Sequence, residues 1–506
     1  MPHRSDARTG ALQWAGLAVL ALPTVLLGLD LTVLHLALPS LAEDLRPSAV
    51  QQLWIVDAYG FLIAGFLVTM GTLGDRIGRR RLLTVGGTAF VAASLLAAYA
   101  PSPEALIAAR AALGIAGATL MPSTLALIGT LFPDPHRRAL AIGLWATFFA
   151  GGMAAGPLVG GVLLERFWWG SAFLLAVPVI CAMLVLAPLL LPEDRAPNAG
   201  RIDLVSVGLS LGALLPAVYA VKKAAESGPV PEVIAAVGAG AVVATVFVRR
   251  QRRLDDPLLD VALFGDRAFS VALAVMLVCL AGVGGTMLLT TQYLQLVEEL
   301  SPTAAGLWFG PPALAMALSS VGAPLLARRV RPGFVVAGTL AVSSGGYVLL
   351  GTAGADGGPV PVVAAFSLAY LGLGAVAALG TDLVVGTAPP EKAGSASALS
   401  ETVQELGLSA GIALVGSLAA AVYGSRMGAD ALAGLPPETA HAAAQGLPGA
   451  LSVADELPAG VLNRAEEAFM AGLNTAGWTG AAVVLALAAT AAVALRGVGG
   501  DAGGRP

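Results

Sequence analysis

Charged residues are scarce in this 506-residue chain, where they make up 12% of the sequence, about half of their usual share in soluble proteins. Hydrophobic residues make up 57%, and the mean hydropathy is +0.82. This composition excludes an ordinary soluble domain and predicts a polytopic membrane protein. Lysine occurs only at positions 222, 223 and 392, and none of these follows a glycine. The sequence therefore excludes a Walker A loop, so any pumping by this chain must use an ion gradient rather than ATP.

Cysteine and histidine are also rare, with two and four residues. Cys181 and Cys279 lie in apolar runs, which favours small buried hydrophobic side chains over a disulfide or a metal site. The histidines are scattered, and no metal-ligand or nucleophile constellation accompanies them. The sequence therefore predicts that the chain is not an enzyme, and it implies no metal and no cofactor.

Long apolar runs, by contrast, are abundant. Roughly 18 to 25 residues suffice to cross a bilayer as a helix, and alternating strand patterning is missing, so the sequence predicts an all-α membrane protein. A signal peptide is not predicted, because the first run is too long and more runs follow it. The fourteen predicted spans are residues 12–38, 51–73, 82–100, 104–127, 138–162, 170–191, 203–221, 232–249, 268–291, 303–325, 333–353, 359–386, 398–424 and 470–496.

Basic residues predict the orientation of these spans. The breaks assigned to the inside hold, together with the termini, 21 of the 28 basic residues, and the outside breaks hold six. This bias places both termini in the cytoplasm of a multi-pass protein of the cell inner (plasma) membrane. The breaks also predict a 6+2+6 division: an N-terminal six-helix bundle over 1–191, two additional helices over 192–249, and a cytoplasmic linker with a C-terminal six-helix bundle over 250–506.

Two breaks allow more than one interpretation. The stretch "PLLDVALF" after residue 256 fits a short interfacial helix and an ordinary polar linker equally well. The outside break at about 425–469 is rich in Ala, Gly and Pro, and both an extracellular lid and a mere connector fit it.

Three stretches carry a family resemblance. "GTLGDRIGRRRLL" after the second span resembles the signature cytoplasmic loop of the major facilitator superfamily, and "GGMAAGPLVGG" in the fifth span resembles the antiporter motif of its drug exporters. "LDLTVLHLALP" and "QQLWIVDAYGF" resemble the first and second helices of the fourteen-helix drug:proton antiporters of the QacA type. The matching residues are Gly71, Gly74, Asp75, Arg76, Gly78, Arg79 and Arg80 in the loop, and Gly152, Gly156, Pro157, Gly160 and Gly161 in the fifth span.

Each motif also has a physical interpretation. The loop glycines allow a tight turn and close helix packing, while Asp75 and the arginines can form ion pairs that break when two halves of the protein rock apart. In the fifth span, small residues about four apart give a flat face for close packing. Packing alone explains that face, so the residues predict a helix–helix contact more directly than they predict antiport.

Ionisable residues inside the spans are the strongest functional signal. A charge at the centre of a spanning helix costs on the order of 2.5 to 3.5 kcal/mol, so such residues usually face a cavity and mark an ion or substrate path. We predict that Asp30 forms an ion pair with Arg110 and that this pair carries proton coupling. Arg110 resembles the arginine of the family's fourth helix. Asp57, Glu401 and Glu405, the last two one helical turn apart, are candidates for binding substrate.

Several polar and aromatic residues near these acids have open roles. Trp54 and Tyr59 are candidates for cation–π contact with substrate, with packing as the alternative. His35 is interpreted as a hydrogen-bonding residue rather than a proton relay. For Asp382, near a cytoplasmic end, a functional role and a structural ion pair are equally compatible with the sequence.

The resemblance implies a major-facilitator fold that exports lipophilic organic cations in exchange for protons. A carboxylate that can hold a proton or a cation, but is penalised for holding both, has the thermodynamic property that antiport requires. The alternatives are a dedicated exporter of one natural product, for which no particular charge is implied, and a transport-inactive membrane sensor. The expected partners are small-molecule substrates, protons and the bilayer, with no nucleic acid, and the chain is expected to be a monomer.

Overall fold

A computed structural model describes residues 3–47, 49–193, 195, 203–227, 230–254, 257, 259, 261–354, 357–389, 393–428, 430–444 and 446–495. Within these ranges every regular element is a helix. The helices are α1 (His3–Leu45), α2 (Ala49–Ile77), α3 (Arg79–Ala98), α4 (Pro103–Leu131), α5 (Pro135–Arg166), α6 (Ser171–Leu174), α7 (Ala176–Leu190), α8 (Leu204–Ser227), α9 (Pro231–Gln251), α10 (Arg267–Gln292), α11 (Pro302–Trp308), α12 (Gly310–Leu326), α13 (Pro332–Gly351), α14 (Pro359–Ala375), α15 (Thr381–Thr387), α16 (Ala393–Arg426), α17 (Pro437–Ala444), α18 (Leu447–Ser452) and α19 (Ala459–Ala494).

A helix or a run of consecutive helices coincides with each predicted span. Among the described residues, twelve helical segments are long and apolar enough to cross a membrane. The apolar part of α8, Leu204–Ala217, is shorter than these and is not one of the twelve. The prediction of an all-α membrane protein is therefore confirmed, while the number of crossings and the side of the termini stay predictions. The short 3₁₀ turn Val261–Gly265 occupies part of the segment for which we left an interfacial helix or a linker open.

Polar caps start several of the long helices. Ser102 Oγ and Asp134 Oδ2 accept hydrogen bonds from the backbone N–H three residues later, at 3.3 and 2.9 Å. A proline follows each cap directly, where its fixed φ suits the first helical turn. These signals place the starts of α4 and α5 in the breaks between apolar runs.

The helices form two sets that meet along a seam. We call α1–α7 the first half and α10–α19 the second half. Within the first half α1 packs on α5, and α2 and α3 pack on α4; within the second, α10 packs on α16, and α13 on α14 and α19. Across the seam α5 contacts α12, and α16 contacts α2 and α4. The residue boundaries predicted for the two bundles stay a prediction.

Glycines let α1 and α5 cross in backbone contact. A Cβ added to Gly152 would collide with the carbonyl oxygen of Val25, and one added to Gly28 would collide with the carbonyl oxygen of Phe149. The sequence prediction of a close helix contact along the fifth span is therefore confirmed at Gly152. Gly156 and Gly160 on the same helix are buried. The surroundings of Pro157 and Gly161 lie outside the described part of the molecule.

The substitution Gly152→Leu should destabilise the protein, because the new side chain has no space between α1 and α5. Overpacking of a close contact costs typically 1–3 kcal/mol. The adjacent Gly151→Leu is the matched control, since Gly151 is exposed and an added Cβ there would meet nothing within 4 Å. Thermal unfolding of the two purified variants checks this prediction, and equal midpoints would contradict the close crossing.

The pair α8 and α9 packs at the edge of the seam. The two helices pack on each other, and α8 also contacts α2 and α16, one helix from each half. Asp203, just before α8, accepts hydrogen bonds from Arg250 Nε at 2.8 Å and Ser206 Oγ at 2.7 Å. These bonds lower the pKa of the Asp203 carboxyl to about 2, so the pair stays charged at neutral pH and ties α8 to α9.

The segment between α16 and α19 is more ordered than its composition predicts. It contains α17, α18 and a 3₁₀ turn at Ala454–Glu456. The last helix begins at Ala459, eleven residues before the predicted span, because the segment 459–469 has helix-favouring residues although it is too polar to count as apolar. Tyr423 and Leu447 are buried with Phe469 in one hydrophobic cluster, so this segment packs against the ends of α16 and α19.

Candidate functional site

An ion pair lies between α1 and α4 in the interior of the first half. Arg110 Nη1 donates a hydrogen bond to Asp30 Oδ2 at 3.2 Å, and Arg110 Nε donates to the carbonyl oxygen of Ile55 at 3.0 Å. The Arg110 side chain is 3% exposed and that of Asp30 is 17% exposed. The predicted pairing is therefore confirmed, and the backbone of α2 fixes the guanidinium from a second side.

The ring of Tyr59 on α2 packs against the guanidinium of this ion pair. The Cζ atom of Arg110 lies 4.5 Å from the centroid of the Tyr59 ring, which is cation–π distance. Gly114, one turn after Arg110, has no side chain, so the carbonyl of Tyr59 approaches α4 closely there. For Tyr59 the sequence left cation–π contact with substrate and packing both open; its side chain is 3% exposed and its ring packs on Arg110, while a contact with substrate stays a prediction.

Two acids, Glu401 and Glu405, lie on α16 in the second half. Glu401 is buried and accepts a hydrogen bond from Gln404 Nε2 at 3.2 Å. Glu405 interacts electrostatically with Glu401, as expected from their one-turn spacing, and its charge also acts on the hydroxyl of Tyr59. Since α16 packs on α2 and α4 across the seam, Glu405 lies in electrostatic reach of Tyr59, beside the Asp30–Arg110 pair.

The remaining predicted residues lie around this cluster. The side chain of Trp54 on α2 is 42% exposed. The side chains of Asp57 and His35 lie outside the described part of the molecule. Asp30 also borders a cavity of about 10 Å³, lined further by Phe90, Ser94 and Phe173, which is roughly the space that one water molecule needs.

Asp75 joins the two halves at the end of α2 that the sequence predicts to be cytoplasmic. Asp75 Oδ1 pairs with Arg79 at 3.2 Å inside the first half, while Asp75 Oδ2 accepts a hydrogen bond from the backbone N–H of Ser395 at 3.0 Å. Ser395 lies in the first turn of α16, where backbone N–H groups have no partner in the helix and carry partial positive charge. The contact between the halves is therefore a carboxylate on a helix N-terminus, and the Asp75–Arg79 ion pair itself lies inside one half.

Gly78 and Arg80 of the loop motif make contacts within the first half. Gly78 has φ of +110°, a conformation that favours glycine, and the Glu193 carboxylate packs against it. Arg80 donates to Glu193 Oε2 at 3.3 Å and to the carbonyl oxygen of Leu191 at 3.0 Å. Gly71 and Gly74 are buried, and Arg76 is half-buried. The motif thus fastens the start of α3 to the segment after α7.

A second contact between the halves was missed by sequence reasoning. Arg138 Nε lies 2.5 Å from Asp382 Oδ1, which joins α5 to α15 across the seam. For Asp382 this is the structural ion pair that the sequence left open. The sequence does show that both residues lie near the predicted inside ends of spans, Arg138 at the end of the break "PHRR" and Asp382 near the end of another span. It does not show which of these ends face each other in the fold.

Comparisons with known proteins agree with this architecture. The model of the Major Facilitator Superfamily matches residues 20–412. The chain is 44% identical over 496 residues to the multidrug efflux pump LfrA of Mycolicibacterium smegmatis, covering 97% of this chain and 98% of that protein. It is 34% identical over 465 residues to the methyl viologen resistance protein SmvA of Salmonella typhimurium, covering 90% and 93%. The crystal structure of the human organic anion transporter MFSD10 (TETRAN) shares the fold, with a TM-score of 0.58 at 16% identity, covering 96% of this chain and 100% of that one.

Proposed function

The chain belongs to the Major Facilitator Superfamily, and from this premise we propose that it is a drug:H⁺ antiporter, which exports lipophilic organic cations from the cell in exchange for protons. It is a multi-pass transporter of the inner membrane, and relatives that are 44% and 34% identical are named as a multidrug efflux pump and a resistance protein. Quaternary ammonium compounds, cationic dyes and cationic antibiotics are the substrates we propose.

The observation that carries this proposal is the charged cluster in the protein interior. Asp30 is paired with Arg110, Glu405 lies across the seam in electrostatic reach of the adjacent Tyr59, and Glu401 interacts with Glu405 on the same helix. A carboxylate in such surroundings binds a proton or a cation, and binding of one weakens binding of the other. Substrate binding from the cytoplasm then releases a proton, and proton binding from outside releases the substrate.

Alternating access requires the two halves to separate at each end in turn. At the cytoplasmic end the contacts between Asp75 and Ser395 and between Arg138 and Asp382 hold them together. We therefore assign these contacts to the state that is closed to the cytoplasm. Both must break before substrate enters from inside, and both must reform before it is released outside.

Removing one partner of the Arg138–Asp382 pair should slow transport. Asp382→Asn leaves a guanidinium without its carboxylate in a partly buried place, which destabilises the closed state, and we expect dye efflux to fall about tenfold, which corresponds to about 1.4 kcal/mol. The double exchange Arg138→Asp with Asp382→Arg should restore most of the rate. Initial rates of dye efflux at equal expression measure both.

The matched control for this pair is Arg137→Gln, because Arg137 is the exposed neighbour of Arg138. It should leave efflux unchanged. If Asp382→Asn behaves like this control, or if the charge exchange is no better than the single variant, the pair is not a contact of the closed state.

Efflux from intact cells tests the proposed function. Cells that express the protein should accumulate less ethidium, a lipophilic monocation, than cells with an empty vector, and an uncoupler of the proton gradient should abolish the difference. Loss of the effect on ATP depletion, with the proton gradient maintained, would contradict gradient coupling. Export of one neutral compound without any cation would indicate a dedicated exporter instead.

A further inference from the structure

The small cavity beside Asp30 is enclosed by the first half alone. It has a volume of about 10 Å³, and its lining residues come from α1, α3, α4, α6, α7 and the turn between the last two. Among the described residues, none from α16 or from any other helix of the second half lines it. The cavity is therefore separate from the seam, where α16 packs on α2 and α4.

Two of the lining side chains are polar, those of Asp30 on α1 and Ser94 on α3. Ser94 is 1% exposed, and its hydroxyl makes no hydrogen bond with any described residue. A buried hydroxyl without a partner is costly and rare in native proteins. Asp30 Oδ2 accepts a hydrogen bond from Arg110 at 3.2 Å, but an ionised carboxylate can accept about four such bonds. Both side chains therefore have hydrogen-bonding capacity left over in the cavity.

One water molecule is the ligand that fits this cavity. A buried water needs a volume of roughly 10 to 15 Å³ and two to four polar partners. The cavity has about the lower of these volumes, and Asp30 and Ser94 supply a pair of partners. The water can donate a hydrogen bond to the Asp30 carboxylate and accept one from the Ser94 hydroxyl. An organic cation is far too large for this space, so the cavity can admit a carrier of protons but not the substrate.

The cavity lies near the ends of α3 and α6 that the sequence predicts to be outside. Ser94 comes four residues before the end of α3 at Ala98, and α6 begins at Ser171, so the cavity is about one helical turn, or roughly 5 Å, below these ends. Phe173 lines the cavity and packs edge-on against Trp169, in the turn before α6, with 6.3 Å between ring centroids. A path from the cavity to the predicted outer side is therefore short and does not cross the seam.

We propose that Ser94 is a positioning residue for proton exchange: its hydroxyl holds one water molecule against the Asp30 carboxylate, and this water carries the proton between Asp30 and the outside. A proton from outside binds the water oxygen, one O–H bond of the resulting hydronium breaks, and that proton forms the O–H bond of the Asp30 carboxyl. This inference rests on the proposed antiport and adds to it a proton route inside the first half, separate from the route of the substrate through the seam.

Infrared difference spectra of the purified full-length protein in lipid vesicles test this proposal. The carbonyl stretch of protonated Asp30 is the band that Asp30→Asn removes, and its frequency falls when the carboxyl group is hydrogen-bonded. Ala176→Val adds methyl groups to the wall of the cavity and should displace the water, so the band should move to higher frequency. The carboxyl should also exchange its proton for deuterium about tenfold more slowly after transfer to D₂O, because a hydrogen-bonded path for the proton is lost.

Matched variants separate the water from general effects on packing. Ser94→Ala removes the hydroxyl and should also raise the band frequency and slow the exchange, whereas Ser94→Thr keeps a hydroxyl and should stay near the wild type. Ser123→Ala is the control for the lost hydroxyl, since Ser123 is also buried without a partner among the described residues but does not line the cavity. Ala187→Val is the control for added volume, because Ala187 is buried on α7 and does not line the cavity. Neither control should change the band or the exchange rate.

Three results would overturn this inference. If Ala176→Val leaves the band and the exchange rate at their wild-type values, no water lies beside Asp30. If Ser94→Ala changes them while Ala176→Val does not, the Ser94 hydroxyl bonds to Asp30 directly and the route through water is wrong. If the controls shift the band as much as the cavity variants do, packing is responsible.

Antiport is tested separately from the water. Each of the three results leaves it standing, provided that a pH gradient still drives ethidium uphill in the wild type. If the gradient does not drive ethidium, the proposed function fails whatever the infrared spectra show, and the water has no role in transport.

Discussion

Asp30→Asn abolishes uphill efflux of every substrate while expression, membrane insertion and folding stay intact; this is the largest effect that we expect. The amide has the shape of the protonated acid and cannot release a proton, so the variant cannot couple substrate movement to the gradient. Each unit of charge that moves through 100 mV supplies roughly 2.3 kcal/mol, enough to support a concentration ratio of about 50. In the variant this ratio should fall to one.

The measurement is the steady-state distribution of ethidium across vesicles with an imposed proton gradient. Asp44→Asn is the matched control, because it makes the same change from acid to amide at an exposed position of the same helix. The Asp44 carboxylate accepts a hydrogen bond from Trp169, which the amide oxygen of asparagine can also accept. The control should stay close to the wild type. Uphill transport by Asp30→Asn would reject Asp30 as the coupling acid.

The second large effect concerns substrate charge. Glu401→Gln, Glu405→Gln and Asp57→Asn should each impair dications more than monocations and neutral compounds least. Two separated positive charges can contact acids of both halves, whereas a single charge needs one acid. At an effective dielectric constant of about 20, a charge pair 4 Å apart is worth roughly 4 kcal/mol before desolvation, so one lost acid should weaken dication transport at least tenfold.

Matched dyes make this comparison direct. Ethidium carries one positive charge and propidium, its close relative, carries two, and methyl viologen, after which the relative SmvA is named, is a smaller dication. Glu438→Gln on α17, an exposed acid outside the site, is the control at equal expression. Equal loss for all charge classes would make the acids proton carriers or structural residues, and no loss would remove them from the pathway.

The sequence predicted features of single helices and one pairing of opposite charges between two helices. Apolar runs between charged breaks predicted the helices, because backbone groups in lipid must pair within the segment. The cost of a charge in a span singled out Asp30 and Arg110. Because their charges are opposite, the sequence also predicted that they pair. The spacing of Glu401 and Glu405 placed them together on α16.

The sequence could not predict contacts that depend on how the halves meet. The bond from Ser395 N–H to Asp75 uses a backbone group, which any residue has, so no sequence pattern marks it. The pair of Arg138 and Asp382 joins residues 244 positions apart. For Tyr59 the sequence left cation–π contact with substrate and packing both open, and only the fold shows that Arg110 lies over its ring.

Reconstitution of the purified protein in proteoliposomes with an internal pH indicator tests the central claim most directly. A pH gradient imposed without any other energy source should drive ethidium against its own concentration gradient, and ethidium added to vesicles at equal pH should drive protons in the opposite direction. Asp30→Asn should show neither flux. Ethidium movement only down its gradient, with no proton flux in the wild type, would contradict antiport.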